Sequence, residues 1–136
     1  NVTVSKNYAS NYAGGVYLSG LKATLTGITV TENSCSKYGG GIYVKDGTIN
    51  LPDIQLLNNK AGYGGAIAID ANERTENANI TIGYDKDHNA NLLDVLNYTH
   101  SRCPLISGNT ATEEGGAIYY NANENAKCKC KFLVNV

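Results

Sequence analysis

One spacing dominates this sequence: an apolar-x-apolar pattern that returns every 26 residues. It occurs at Val2/Val4, Ile28/Val30, Ile54/Leu56 and Ile80/Ile82, and then, after steps of 24 and 26 residues, at Pro104/Ile106 and Cys130/Phe132. Each unit contains only short β-compatible runs, so it does not match a helical repeat, which needs two helices. It is also too short for a propeller blade. It matches one coil of a parallel β-helix.

Each coil is predicted to contain three short strands. The segments 2–4, 28–30, 54–56, 80–82, 104–106 and 130–132 are expected to stack as one parallel sheet. Right-handed winding is expected because parallel crossover connections strongly prefer it. We therefore predict an all-β fold, a right-handed parallel β-helix (solenoid) of about five coils of ~26 residues. It would form a single domain over residues 1–136 or a segment of a longer solenoid.

A column of amide residues accompanies the repeat, three residues after the second apolar position. Its members are Asn7, Asn33, Asn59, Asp85, Asn109 and Asn135. An Asn side chain can donate and accept hydrogen bonds at a chain bend, and identical amides in neighbouring coils can satisfy one another. We predict a structural ladder, with a defect at Asp85 because an ionised carboxylate cannot donate.

Small residues precede the next apolar run in four units, in the sequences "AGGVY", "GGGIY", "GGAIA" and "GGAIY". The glycines concerned are Gly14, Gly15, Gly40, Gly41, Gly64, Gly65, Gly115 and Gly116. Glycine reaches positive φ freely and lets a second backbone approach closely. The pairs are therefore predicted to form a sharp bend between two strands of each coil.

The Asn followed by the Gly pair is best seen in "ISGNTATEEGGAIYY" and "VTENSCSKYGGGIYV". This combination resembles the repeats of polymorphic outer membrane proteins and of adhesin-like right-handed β-helix proteins, over essentially the full chain. The resemblance implies the β-helix fold and an extracellular or cell-surface location. It specifies an architecture and implies no single activity.

Charge and hydropathy argue against two classes of partner. The net charge is −1, and no basic run exceeds the spaced "KCKCK", so the electrostatic footprint of a nucleic-acid binder is missing. No apolar stretch approaches the roughly 18 residues of a membrane-spanning helix. We expect no nucleic-acid partner and no membrane insertion.

Catalysis on a β-helix needs carboxylates that converge on one exposed sheet. The outward positions of the first predicted strand are Thr3, Thr29, Gln55, Thr81, Leu105 and Lys131, and those after the Gly pairs are Tyr17, Tyr43, Ala68, Leu93 and Tyr119. Neither row contains an acid. The polar run "DKDHNAN" lacks the Gly and the bidentate acid of a calcium loop. We expect no enzyme, no cofactor and no metal site.

The cysteines divide into two groups. Cys35 shares the register of Ala9 and Ala61 and is interpreted as a small buried thiol. Cys103 and Cys128 lie about one coil apart, so stacking would bring them within reach of a disulfide. A register shift of one residue would select Cys130 instead of Cys128.

Three Asn-x-Thr sequons, at Asn1, Asn79 and Asn97, are compatible with N-glycosylation of a secreted protein. Asn97 is expected to be the most accessible of the three, because Asn79 borders a predicted strand.

The tyrosines recur at two positions around the small residues. Tyr12, Tyr38 and Tyr63 precede the small residues, and Tyr17, Tyr43 and Tyr119 follow them as a candidate ligand face. Aromatic rows on a parallel sheet can bind sugars or a partner protein, or they can simply stabilise the outer sheet through neighbour contacts.

Two function hypotheses follow. The first is a non-catalytic extracellular structural or adhesive β-helix protein that assembles end to end into a surface fibre, or whose ends are covered by neighbouring coils of a longer chain. The second is a carbohydrate-binding or carbohydrate-active β-helix that uses the tyrosine rows. Loss of glycan binding in Tyr17→Ala and Tyr43→Ala variants would favour the second.

Overall fold

The computed structural model describes residues 1–71, 78–83, 104–122 and 129–132. All regular structure in these ranges is β-strand, and the strands pair in parallel. None of the described residues belongs to a helix that is long and apolar enough to cross a membrane. The expected all-β class is confirmed for this part of the chain.

The described residues pass through four coils, where a coil is a segment that gives one strand to each of four sheets. The first coil contains β1 (Val2–Ser5), β2 (Tyr8–Ala9), β3 (Val16–Leu18) and β4 (Leu21–Thr24). The second contains β5 (Ile28–Thr31), β6 (Ser34–Cys35), β7 (Ile42–Val44) and β8 (Gly47–Leu51). The third contains β9 (Gln55–Leu57), β10 (Lys60–Tyr63), β11 (Ile67–Ala71) and β12 (Ala78–Ile82). The fourth contains β13 (Leu105–Ser107), β14 (Thr110–Glu114), β15 (Ile118–Ala122) and β16 (Lys129–Phe132).

Equivalent strands of successive coils form the sheets β1-β5-β9-β13, β2-β6-β10-β14, β3-β7-β11-β15 and β4-β8-β12-β16. In the first sheet Val4 pairs with Val30, Val30 with Leu56, and Leu56 with Ile106. The predicted adjacency of Val4 and Val30 is therefore confirmed. The arrangement fits a parallel β-helix.

Two of the six strands predicted for the first sheet belong elsewhere. The strand at 80–82 pairs with β8 and β16, so it lies in the fourth sheet together with 130–132. The prediction was wrong because an inward-outward-inward strand gives the same apolar-x-apolar pattern in any sheet. The chain between β11 and β12 is also longer than that between β7 and β8, which places Ile80 at a 26-residue spacing by coincidence.

Each coil uses four strands where three were predicted. The additional strand follows the Asn and forms the second sheet, where Ala9, Cys35 and Ala61 occupy the inward register. Cys35 and Ala61 are buried, as expected for small side chains in a narrow corner. Four strands per sheet also mean that the expected five coils are not confirmed.

Aliphatic side chains from three of the four sheets fill the interior. Those of Val30, Ile42, Ile49, Leu56 and Ile67 are completely buried and belong to one continuous cluster. Inward residues alternate with outward ones along each strand, as in Ile67 and Ile69 around Ala68. The core is thus a stack of aliphatic layers, one layer per coil.

The two adjacent small residues of each bend meet different structural requirements. The first position has positive φ, at Gly39 (74°), Gly64 (69°) and Gly115 (67°), and Ala13 adopts the same conformation in the first coil (53°). The second position has no room for a side chain in the first three coils, because a Cβ on Gly40, for example, would clash with the carbonyl oxygen of Gly65, whereas a Cβ on Gly116 would lie 3.9 Å from the nearest described atom. The bend therefore needs glycine for conformation at one residue and for close approach at the next.

Candidate interaction surface

The third sheet places tyrosines on the outside of the solenoid. In β3 and β7 the central residue faces away from the core, and these residues are Tyr17 and Tyr43, paired in register. The same outward register continues through Ala68 in β11 to Tyr119 in β15. This row therefore has three rings and one methyl group.

A second row lies at the bend before the Gly pairs. Tyr12 and Tyr38 form an isolated parallel bridge, and so do Tyr38 and Tyr63. Their rings stack along the axis of the solenoid, with centroids 5.9 Å apart and planes 14° apart for the first pair, and 5.0 Å and 22° for the second. Stacking follows from the backbone, because in-register neighbours of a parallel sheet are about 4.8 Å apart.

The two rows interlock into one aromatic surface, which we call the tyrosine cluster; its members are Tyr12, Tyr17, Tyr38, Tyr43, Tyr63 and Tyr119. Tyr12 lies 4.7 Å from Tyr43 between ring centroids, and Tyr63 lies 5.1 Å from Tyr119. Tyr38 lies between Tyr43 and Tyr119, at 6.4 and 6.0 Å. Ala68, whose register holds no ring, is fully buried.

Exposure is uneven across the cluster. Tyr12 and Tyr17 are 47% and 48% exposed, whereas Tyr43 is only 4% exposed. Of the predicted ligand face, Tyr17 is therefore accessible, Tyr119 is half-buried, and Tyr43 is covered by its neighbours. Much of the ring area is used in contacts between tyrosines, which is the geometry expected if the cluster stabilises the outer sheet.

A carboxylate lies at the edge of the cluster. Asp70 follows Ala68 on the outward face of β11, and its Oδ1 accepts a hydrogen bond from Nδ2 of Asn121 at 3.2 Å. Burial raises the pKa of Asp70, although the hydrogen bond from Asn121 acts in the opposite direction. The Asp70 carboxylate is thus half-buried, and the Tyr43 hydroxyl donates to the backbone carbonyl oxygen of Asp70 at 3.5 Å.

Burial and this carboxylate also affect the phenols. Burial raises the pKa of Tyr38, and the negative charge of Asp70 raises it further. The pKa of Tyr119 is raised by burial first, and by the charges of neighbouring groups that include Asp70 and Glu114. Both phenols therefore remain protonated, and able to donate, at neutral pH.

The Asn column lies on the opposite side of the bend and points inward. Oδ1 of Asn33 accepts from the backbone N–H and Nδ2 of Asn7, both at 3.0 Å. Asn59 does the same for Asn33, and Asn109 for Asn59, at 2.9–3.1 Å. Nδ2 of Asn59 also donates to the carbonyl oxygen of Val30, 2.9 Å away. Each amide joins its own coil to the preceding one.

The ladder does not include Asp85 as the rung after Asn59. Asn59 donates directly to Asn109, 50 residues further along the chain, so the predicted rung and its defect were wrong. The error has the same origin as the misplaced strand, because the 26-residue count was continued through a longer coil. Asp85 itself and Asn135 lie outside the described residues.

Other predicted positions are only partly described. Asn1 is exposed before β1, and Asn79 is half-exposed within β12, flanked by Thr48 and Lys129. Asn97 lies outside the described ranges, as do Cys103 and Cys128, so the proposed disulfide stays a prediction.

Sequence reasoning missed two polar contacts between the first and second coils. The carboxylate of Asp53, which is 4% exposed, accepts from the backbone N–H of Gly27 at 2.9 and 3.1 Å. Asp46 accepts from the backbone N–H of Gly20 and from the Ser19 hydroxyl. In both cases the acid lies 26 residues after the glycine, a signal that a search for Gly-to-Asp spacing could have found.

Acidic and metal-binding side chains do not gather elsewhere in the described ranges. Within 1–71, 78–83, 104–122 and 129–132, no three His, Cys, Asp or Glu residues are grouped so that they could hold a metal ion. We therefore take the tyrosine cluster as the candidate interaction surface.

A family model matches two segments of this chain, residues 27–45 and 105–121. These segments match the Chlamydia polymorphic membrane protein repeat. The first runs from the start of β5 to the end of β7, and the second from β13 into β15. No curated protein and no solved structure matches the chain.

The two matched segments carry the same structural parts. Each has a left-handed residue, Glu32 or Gly108, directly before the ladder residue, Asn33 or Asn109. The Gly bend and the outward-facing tyrosine then follow in the third sheet. The matched segments thus correspond to the first three strands of a coil.

Proposed function

We propose that the chain is a non-catalytic, adhesin-like β-helix of the cell surface. The observation that carries this proposal is the match of two coils to the Chlamydia polymorphic membrane protein repeat, combined with parallel in-register stacking of those coils. A stack of this kind holds its outer faces at fixed spacing, which suits presentation of an extended surface to another cell or to matrix.

Adhesion is tested with beads coated with the folded chain and applied to cultured epithelial cells. Saturable attachment that soluble chain inhibits is the expected result. Beads coated with Asn59→Ala, which removes the buried ladder amide, serve as a control for the fold. Attachment no greater than that of albumin-coated beads would contradict adhesion, and release of reducing sugars from acidic polysaccharides would contradict the non-catalytic assignment.

We also propose that the coils wind in a right-handed sense, which parallel crossover connections strongly prefer. We propose further that another coil stacks on the ladder. Between rungs, Asn7, Asn33 and Asn59 each donate to Oδ1 of the next rung, so the column has a direction. Among the described residues, Oδ1 of Asn7 has no donor, and it could receive the amide of a coil placed before it. That coil would come from a longer chain or from a second copy, which would give a fibre.

Light scattering over a range of concentrations separates these two sources. Growth in mass with concentration, and its loss in an Asn7→Ala variant that has no side-chain oxygen to receive the incoming amide, would support self-assembly. A monomer at all concentrations would exclude the fibre.

A second candidate, glycan binding, rests on the half-exposed rings of Tyr12 and Tyr17 at one end of the cluster. Their planes are nearly perpendicular, at 79°, and their centroids are 6.3 Å apart. A glycan array should then show binding that Tyr17→Ala weakens and Tyr8→Ala leaves unchanged. Equal binding by both variants would exclude these rings.

A further inference from the structure

We propose that the tyrosine cluster is a site of oxidative cross-linking, in which a one-electron oxidant of phenols joins Tyr38 to Tyr63 by a carbon–carbon bond. The product is an intramolecular dityrosine between the second and third coils. The proposal concerns covalent modification of the surface and does not depend on adhesion.

The geometry selects this pair. Coupling joins the ring carbons beside each hydroxyl, so it needs two rings that face each other in the same orientation. Tyr38 and Tyr63 are neighbours across a parallel bridge, with centroids 5.0 Å apart and planes 22° apart. Tyr12 and Tyr43 have closer centroids, at 4.7 Å, but their planes are tilted by 50°. Tyr12 and Tyr38 are stacked at a greater separation of 5.9 Å. Tyr17 and Tyr43 lie 5.2 Å apart with planes 30° apart, so they are both farther apart and less parallel than Tyr38 and Tyr63.

Coupling is normally limited by how rarely two short-lived radicals meet, and the stack removes this limit. The bridges hold the two backbones side by side, so both rings stay within reach of each other throughout the lifetime of the radicals. Bringing two groups together in one molecule in this way raises their effective concentration far above that of free partners. Intramolecular product should therefore exceed dimers.

The cluster provides access for the oxidant. Tyr12 and Tyr17 are about half exposed, whereas Tyr38 and Tyr63 are half-buried behind them. Ring contacts connect Tyr12 to Tyr38 and Tyr38 to Tyr63. A tyrosyl radical formed at the exposed end can therefore pass inward by electron transfer from ring to ring.

The chemistry balances with hydrogen peroxide and a haem peroxidase as the oxidant. Each phenol loses one electron and its hydroxyl proton, and the two radicals couple through the carbons beside the oxygens. The hydrogen on each coupled carbon then moves to the oxygen, which restores two phenols. The two electrons and two protons reduce one hydrogen peroxide to two water molecules.

The experiment treats the whole chain, at low concentration, with peroxidase and hydrogen peroxide. Dityrosine is followed by its fluorescence, and cross-links are located by mass spectrometry of tryptic peptides. Trypsin separates the two rings, because Tyr38 falls in peptide 38–45 and Tyr63 in peptide 61–74. The expected result is one cross-linked species of these two peptides in monomeric protein, with fragment ions that assign Tyr38 rather than Tyr43.

Two variants keep the test decisive. Tyr38→Phe retains the stacked ring and the fold but lacks the phenol, so the 38–45/61–74 species should be lost. Tyr8→Phe is the matched control, since Tyr8 is 69% exposed and its hydroxyl shares a 2.7 Å hydrogen bond with Ser36, the residue after β6. This control should cross-link as the wild type does. Product that survives Tyr38→Phe, a yield that rises with protein concentration, or dimers alone would overturn the proposal.

Discussion

Removal of the central ladder amide should destabilise the protein more than removal of the same amide at the edge. Asn59 is completely buried, and its side chain bridges both neighbouring coils. Its Oδ1 accepts from the backbone N–H and Nδ2 of Asn33, and its Nδ2 donates to Val30 and to Asn109. In Asn59→Ala, the backbone N–H of Asn33 and the carbonyl oxygen of Val30 lose these partners.

The magnitude follows from those two groups. A buried donor or acceptor left without a partner costs about 1–3 kcal/mol. Nδ2 of Asn33 keeps its bonds to Val4 and Thr31, and Oδ1 of Asn109 keeps the backbone N–H of Asn59. Among the described residues, every buried side-chain polar atom has a hydrogen-bond partner. Because the substitution leaves two buried groups without these partners, we expect the free energy of unfolding to fall by about 3–5 kcal/mol.

Asn7→Ala is the matched control. The Asn7 side chain is exposed and donates one described bond, to Oδ1 of Asn33, which keeps the backbone N–H of Asn7 as a donor. Its loss should cost about 1 kcal/mol or less. Urea unfolding followed by circular dichroism measures both variants. Equal destabilisation by the two substitutions would refute the view that buried ladder amides hold the coils together.

Three further predictions concern the bends and the cluster. Gly40→Ala should cost about 3 kcal/mol or more because its Cβ would meet the backbone of the next coil, whereas Gly20→Ala, with positive φ but open space, should cost about 1–2 kcal/mol; equal thermal shifts would contradict this. The raised pKa of Asp70 means that the folded state binds its proton more tightly than the unfolded chain, so stability falls as pH rises through the folded-state pKa. Asp70→Asn should therefore be more stable than wild type at neutral pH, and this gain should disappear well below pH 3.8 in urea titrations. The pKa of Tyr38 is raised above 10.0, so its ionisation destabilises the fold in alkali, and Tyr38→Phe should unfold at higher pH than wild type in a titration followed by circular dichroism.

Much of the architecture could be predicted because stacking repeats the same requirement in each coil. Val4 and Val30 became neighbours as expected, since a 26-residue step equals one complete coil there. The same rule failed at Ile80, where the chain between β11 and β12 is longer and the strand joins another sheet. Counting along the chain cannot distinguish a regular coil from a longer one, because an inward-facing strand has the same pattern in each sheet.

The candidate surface was less predictable. The outward register of Tyr17 and Tyr43 follows from strand alternation, but the burial of Tyr43 depends on Tyr12 and Tyr38 leaning over it from a different part of the coil. The position of Asp70 beside Tyr38 and Tyr119 likewise arises from neighbouring coils. These contacts are lateral, and a repeat period carries no information on how side chains tilt.

The step from Asn59 to Asn109 has a consequence for how such a protein can change. This step spans 50 residues where the others span 26, yet its hydrogen bonds are as short as theirs. Stacking therefore fixes the register, and the length of the connecting chain does not. The spacing is longer because more residues lie between β11 and β13 than between β7 and β9. A coil can therefore gain residues between two of its strands while its rungs stay in contact, so a peptide inserted between β12 and β13 should leave the hydrogen bonds from Asn59 to Asn109 in place.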